Sequence, residues 1–326
     1  MSKLSERINR MSESATLAMA RLSRELREQG KDIITLSLGE PDFDTPDFIK
    51  NAAKKAVDDN FSHYTPVPGL LELRDSIVKK FQRDNDLNYS RDQIVVSTGA
   101  KQSLANVCLS LLNPGDEVLL PCPYWVSYSD MIKLAEAKPV KILSSIENDF
   151  KVTVSEIEKA ITTKTKMLIF SSPCNPSGTV YSKRELESIA KMLEKYPNIY
   201  VVSDEIYEHI NFDEKHFSIG SIPSMKEKTI TVNGVSKGFA MTGWRVGFIG
   251  APLWIANACS KIQGQVTSAT CAVAQKATQE AMLSDPKITT KKMRDTFLKR
   301  RDLVVKLFNE IPNVKCNLPK GAFYVF

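Results

Sequence analysis

Six short runs at residues 94–96, 118–120, 167–170, 200–202, 229–232 and 246–249 consist almost entirely of aliphatic, β-branched or aromatic side chains. A strand with one wet face alternates apolar with polar residues, so runs that are apolar at every position belong to strands covered on both faces. Helical periodicity fills most of the gaps between them. Strand, helix and strand in repetition give a largely parallel sheet with helices on each side, because parallel neighbours need long crossover connections. The chain of 326 residues has room for about two domains at roughly 150 residues each.

The flanking segments follow different patterns. Apolar residues at 15, 18, 19, 22 and 26 keep a helical period, with Gly30 as the stop. Residues 33–36 read as a strand leading into Gly39-Glu40-Pro41-Asp42, after which Thr45 is placed to cap a helix and Pro46 to occupy its first position. Ser182-Lys183-Arg184-Glu185 reads as a capping box. From Pro286 to about Glu310 a long charged helix is expected, then a strand over 321–326. The expected organisation is an N-terminal arm and small-domain segment over 1–45, a large ligand-binding domain over 46–285, and the start of a smaller C-terminal domain over 286–326.

Charge and cysteine usage exclude several classes. Lys+Arg 44 against Asp+Glu 38 gives +6, interleaved rather than in blocks, which suits anionic small molecules better than nucleic acid. The six cysteines form no CxxC pair and there are three histidines, so neither a zinc site nor a disulfide framework is expected. The N-terminus lacks a signal-like apolar stretch and no run approaches the roughly 20 apolar residues of a membrane span, which points to the cytoplasm and to no membrane partner.

Ligands of open α/β sheets collect at the carboxyl ends of the strands, and five polar segments fall there. Ser97-Thr98-Gly99-Ala100-Lys101 breaks a strand into a helix whose free N–H groups favour an anion, though any helix start has them. Asn175-Pro176-Ser177-Gly178 is turn chemistry by itself. Asp204, with Tyr207 three residues on, ends a buried strand and needs a partner unless it is a helix cap. Lys237 follows another strand, and Arg245 stands eight residues later; either alone reads as a solvated surface cation.

One cofactor uses all five: pyridoxal phosphate, an aldehyde on a pyridine ring that carries a phosphate. Ser172-Pro173-Cys174-Asn175-Pro176-Ser177-Gly178, Ser203-Asp204-Glu205-Ile206-Tyr207 and the stretch from Ser236-Lys237-Gly238-Phe239 to Thr242-Gly243-Trp244-Arg245 resemble the signatures of class I aminotransferases of pyridoxal-phosphate fold type I. Gly39-Glu40-Pro41-Asp42-Phe43, Tyr64-Thr65-Pro66-Val67-Pro68-Gly69 and Pro123-Tyr124-Trp125-Val126-Ser127-Tyr128 extend the likeness over nearly the whole chain, which is most similar to the bacterial aspartate aminotransferases, including those that also use prephenate.

The resemblance implies a large domain built on a mostly parallel seven-stranded sheet sandwiched by helices, with a smaller α/β domain. It makes Lys237 the Schiff-base lysine and proton-transfer base, Asp204 the partner of the pyridinium nitrogen, and Tyr207 and Asn175 donors to the ring's phenolic oxygen. Trp125 would stack on the ring. Arg245, Ser236, Gly99, Ala100 and Lys101 would hold the phosphate, joined by Tyr64 from the second subunit of a homodimer. Gly39, Trp125, Asn175, Lys101, Ser14 and Thr16 would meet the substrate, Lys101 near its distal carboxylate and 14–16 as a closing segment. The implied reaction moves the amino group of aspartate to 2-oxoglutarate in two half-reactions; transamination of prephenate or aromatic substrates and C–S elimination are alternatives on the same scaffold. A regulator that keeps only the scaffold would need a DNA-binding module, and a nicotinamide dehydrogenase would need the GxGxxG fingerprint that this chain lacks. Two departures stand out. Gly234 occupies a place where many relatives carry a phosphate-binding serine, and the family's arginine for the substrate α-carboxylate, expected in a further C-terminal segment, matches nothing in 1–326.

Overall fold

In the computed structural model, which describes residues 3–13, 15–36, 38–213 and 215–326, seven strands form a single sheet. They are β1 (Ile94–Ser97), β2 (Glu117–Pro121), β3 (Lys138–Ile142), β4 (Thr165–Ser171), β5 (Tyr200–Asp204), β6 (Thr229–Gly234) and β7 (Gly247–Gly250). The spatial order is β1-β7-β6-β5-β4-β2-β3. Neighbours from β6 to β3 pair in parallel, and β7 alone is reversed, antiparallel to both β6 and β1. This is the mostly parallel sheet that the doubly apolar strands require.

Helices α1 (Glu6–Asn9), α2 (Ala15–Glu28), α3 (Asp47–Asp58) and α4 (Leu71–Asn85) precede the sheet. Between its strands lie α5 (Ala100–Leu111), α6 (Ser127–Leu134), α7 (Val154–Ala160) and α8 (Lys183–Leu193). After it come α9 (Leu253–Val266), α10 (Ala272–Leu283), α11 (Pro286–Thr289) and α12 (Lys291–Asn309). The two-residue period of the strands divides the core between the helices. Val118, Met167, Ile169 and Val202 pack with Leu104 and Val107 of α5 and Ile255 of α9, whereas Leu119, Leu168, Phe170 and Val201 pack with Leu186, Ile189 and Leu193 of α8. A third cluster joins Val96 and Phe248 to Ile77 and Phe81 of α4 and Ala277 of α10. Each such side chain contributes about 1.5–3 kcal/mol on burial, so the strand ends that carry the polar segments stand on a rigid platform.

Several local expectations are corrected. Residues 33–36 form no strand, and Ile34 and Leu36 are 82% and 91% exposed; a short β-prone run without a neighbour gains too little to pair. The expected strand over 321–326 is reduced to one bridge between Asn211 and Gly321. Strand β3 was not expected, because Lys138, Pro139 and Lys141 break its apolar pattern; it is an edge strand, where lysine and proline are tolerated. Pro46, not Thr45, is the N-cap of α3, and the Thr45 hydroxyl instead donates to the Ala240 carbonyl over 2.8 Å. The capping box at Ser182 is present, and the long charged helix is split into α11 and α12 at Thr290. The six cysteines are free thiols, and no helix among the described residues is long and apolar enough to cross a membrane.

Candidate active site

The carboxyl ends of β4, β5 and β6 and the N-terminus of α5 open onto one cavity of 610 Å³. Asp204 is the last residue of β5, Lys237 lies three residues beyond β6, Asn175 four beyond β4, and Ala100 and Lys101 form the first turn of α5. Trp125, Ser236 and Arg245 line the same space, as do Thr16 from α2 and Gly39 and Glu40 from the loop before α3. Sequence order brings none of these together; the parallel sheet does, by delivering successive strand ends to one edge.

At the cavity floor Asp204 is 4% exposed. Tyr128 Oη donates to its Oδ2 over 2.7 Å, and the Ile206 backbone N–H donates to Oδ1 over 3.2 Å. Burial raises its pKa to about 6 despite these donors. Lys237 Nζ donates to the Gly39 carbonyl over 2.5 Å and lies 5.9 Å from the Tyr207 ring centroid. Burial lowers the Lys237 pKa to about 8, with the Glu40 carboxylate opposing and the Arg245 cation assisting. Tyr207 Oη is 2.6 Å from Tyr324 Oη and accepts from Asn175 Nδ2 at 3.4 Å. Burial pushes the pKa of both phenols up, Tyr324 to about 12, so each keeps a proton to donate.

The other end of the cavity suits an anion. Gly99, at φ +84°, leads into α5, and a Cβ built on it would stand 2.5 Å from an Arg245 guanidinium nitrogen. Its bare backbone is therefore what lets Arg245 lie across the helix start. Lys101 Nζ sits 4.9 Å from the Trp125 ring centroid, and burial together with the Arg245 charge lowers its pKa. Gly234 is packed so tightly that a Cβ would meet the Val246 carbonyl at 2.9 Å, which leaves no space for the serine of many relatives; Ser236 lines the cavity nearby.

The pyridoxal phosphate implied by the resemblance fits these residues. A buried amine of lowered pKa faces the cavity, a buried carboxylate lies at its floor, two phenols carry protons, Trp125 supplies an aromatic wall, and the glycine-opened helix start beside Arg245 offers N–H donors and a cation to a phosphate.

Of the expected residues, Tyr64 does not reach this cavity within the chain. It is 98% exposed and lines a separate cavity with His63 and Cys271. Ser14 lies outside the described residues. Three site residues escaped sequence reasoning: Tyr128, Tyr324 and Glu40, whose carboxylate takes a hydrogen bond from Thr242 Oγ1. Glu40 and Tyr128 stand inside segments already quoted as motifs and Tyr324 inside the expected strand over 321–326, but only tertiary packing reveals which way they point.

The family model described as aminotransferase class I and II matches residues 31–326. An aspartate/prephenate aminotransferase of Cereibacter sphaeroides is 45% identical over 100% of this chain and 82% of its own length. One from Nitrosomonas europaea is 43% identical over 99% of this chain and 82% of its own. Among solved structures, the aspartate aminotransferase of Rhizobium meliloti superposes with a TM-score of 0.96 at 39% identity, covering 100% of this chain and 82% of that one. That of Thermus thermophilus with maleate matches at 0.96 and 39%, over 100% of this chain and 85% of that one.

Proposed function

The chain belongs to the class I and II aminotransferases, and on that premise we propose that it moves the amino group of aspartate to 2-oxoglutarate, with prephenate as a further acceptor. The observation that carries the reading is the convergence of Lys101, Lys237 and Arg245 on one cavity around buried Asp204, an arrangement for a phosphate and an acidic substrate together. The apolar side chains of Leu17, Leu36 and Val126 at the cavity wall favour the ring of prephenate as a second occupant.

Pyridoxal phosphate, when bound, supplies the carbonyl that takes up the amino group and a ring that withdraws electrons. The protein's part follows from its own groups. Among the described residues lining this cavity, Lys237 is the half-buried amine that faces the Tyr207 ring, and at a pKa of about 8 a usable fraction is neutral at pH 7 to 8, able to take and return a proton. Asp204, held as an anion by Tyr128 and Ile206, would be the residue to hold the protonated ring nitrogen of that group. Tyr207, supported by Tyr324 and Asn175, would donate to the group's phenolic oxygen. Lys101 and Thr16 are the contacts for the substrate's far end, and Gly39 borders its near end.

The functional unit is a homodimer in which exposed Tyr64 reaches the phosphate of the other subunit, and it works in the cytoplasm. The large domain spans 46–285, flanked by the small-domain segments 1–45 and 286–326. Purified protein given aspartate and 2-oxoglutarate should yield glutamate with parallel initial-velocity lines, and sedimentation should show a dimer. Release of ammonia from cystathionine without glutamate formation would assign the scaffold to elimination instead.

A further inference from the structure

A group of buried ionisable side chains lies directly behind the segment that carries Asp204 and Tyr207. Along this turn Asp204 and Tyr207 line the cavity, while Glu205 and Glu208, 1% and 6% exposed, are turned away from it. Lys80 of α4, itself 1% exposed, forms an ion pair with Glu208 and donates to Asn85 Oδ1 over 2.6 Å. Asn85 Nδ2 bridges the two carboxylates, 3.0 Å from Glu205 Oε2 and 2.7 Å from Glu208 Oε2. Glu205 Oε1 accepts from Ser203 Oγ at 3.0 Å and Ser218 Oγ at 2.6 Å, and its Oε2 lies 2.8 Å from His216 Nε2. His209 Nε2 is 3.2 Å from Glu208 Oε1, and a carboxylate oxygen of Asp84 lies within 4.8 Å of both side chains.

Burial works to lower the His216 pKa, but the Glu205 carboxylate outweighs it and holds His216 above its ordinary value, whereas burial keeps His209 below. Each buried carboxylate thus has a basic partner against it: Lys80 for Glu208 and His216 for Glu205. An ionic core is a costly way to fill space, since apolar residues of the same volume usually serve as well. Its geometry, however, does something an apolar core does not. The segment after β5 is an irregular turn, and acceptors fixed at 205 and 208 clamp it immediately after 204 and on both sides of 207, which restrains the backbone that carries Asp204 and Tyr207.

We propose that Glu205 and Glu208, gripped by Lys80, Asn85 and His216, are positioning residues that set how Asp204 and Tyr207 face the cavity. The role rests on the reading that Asp204 and Tyr207 contact the cofactor. A shift of about 1 Å at such contacts is worth on the order of 10²-fold in rate, so loosening the clamp acts on turnover before it acts on binding.

The test uses the holoenzyme carrying the isosteric changes Glu205→Gln and Glu208→Gln. Each is assayed for kcat and KM, for thermal stability, and for the pH midpoint of the bound cofactor's absorbance, which answers to Asp204 and Tyr207 and not to global stability. The expected result is a displaced midpoint and a kcat lowered by about 10- to 100-fold with KM little changed. Folded variants with the parent midpoint and kcat, losing thermal stability alone, overturn the proposal. If either carboxamide variant does not fold, Ser218→Ala and His216→Gln, which remove outer members of the network, are judged by the same criterion. Asp204→Asn is the control: a midpoint unmoved there refutes the cofactor contact itself and takes the positioning role with it, whereas a midpoint moved there and unmoved in the network variants refutes the network alone.

Discussion

Tyr128 donates from its phenol to Asp204 Oδ2 over 2.7 Å, which joins α6 to the end of β5 at the floor of the cavity. The bond holds ionised a carboxylate that its burial would otherwise neutralise.

That tension makes the first prediction. Asp204 has a folded pKa of about 6 against an ordinary 3.8, so its share of stability is fully present below 3.8 and is lost as pH rises through about 6. That difference corresponds to roughly 3 kcal/mol. Cofactor-free Asp204→Asn should therefore be more stable than the parent chain at pH 7.5 and no more stable at pH 3.5, measured by urea unfolding, while its transamination is largely lost. Tyr128→Phe should move the Asp204 pKa further up, read by carboxyl-selective NMR. Equal unfolding free energies at pH 7.5 would show that Asp204 bears no desolvation penalty.

The second concerns Lys237. Burial lowers its folded pKa to about 8 from 10.5, so the penalty on its charge is present below pH 8 and relieved as pH rises towards 10.5. The neutral amine is the nucleophile, and the rate at which pyridoxal phosphate combines with the cofactor-free protein should climb with a midpoint near pH 8. Borohydride trapping should leave the pyridoxyl mass on the peptide containing Lys237 and nowhere in Lys237→Ala. A trapped adduct on another lysine would remove Lys237 from its role.

How much of this could be read beforehand follows from what a linear pattern encodes. Strands β1, β2 and β4 to β7 were legible because burial on both faces leaves an uninterrupted apolar run, Lys237, Asp204, Asn175 and Arg245 because they stand out as polar residues near strand ends, and Trp125 through the family resemblance alone. Strand β3 was hidden by edge residues that need not be apolar. Residues 33–36 misled because propensity says nothing about whether a neighbouring strand exists. Tyr128 and Tyr324 were passed over since an aromatic inside a motif looks the same in sequence whether it fills a core or touches a carboxylate; their partners lie 76 and 117 residues away. The clamp of Lys80 and Asn85 on Glu205 and Glu208 is likewise long-range, joining α4 to a turn beyond β5.

Gly99 gives a third prediction. Alanine there must adopt φ near +84° and place its methyl against the Arg245 guanidinium. The conformation costs about 1–2 kcal/mol, and the displaced arginine loses its hold on a phosphate at the helix start. Gly99→Ala should bind pyridoxal phosphate more weakly by equilibrium dialysis and lower the melting temperature, whereas Gly115→Ala, also at positive φ but with open space around it, should lower only the latter. Unchanged cofactor affinity in Gly99→Ala would mean that the phosphate lies elsewhere.

The proposed role of Lys101 in substrate choice gives a fourth prediction. Its ammonium lies over Trp125 at 4.9 Å, and among the described residues it has no carboxylate partner. A cation in the first turn of a helix is opposed by the helix dipole, and burial with the Arg245 charge lowers its pKa further, so the site pays to keep this ammonium where an incoming anion would relieve it. On the proposed function that anion is the distal carboxylate of aspartate or glutamate. Lys101→Ser should reduce kcat/KM for aspartate and glutamate by about 1.5–3 kcal/mol, the usual worth of a charged hydrogen bond, and barely affect an apolar amino acid. Steady-state kinetics with aspartate and leucine in parallel provide the measurement. Equal losses for both would transfer Lys101 to the phosphate or to the framework, and the selectivity for acidic substrates would then have to lie in Thr16 or in the segment around Ser14.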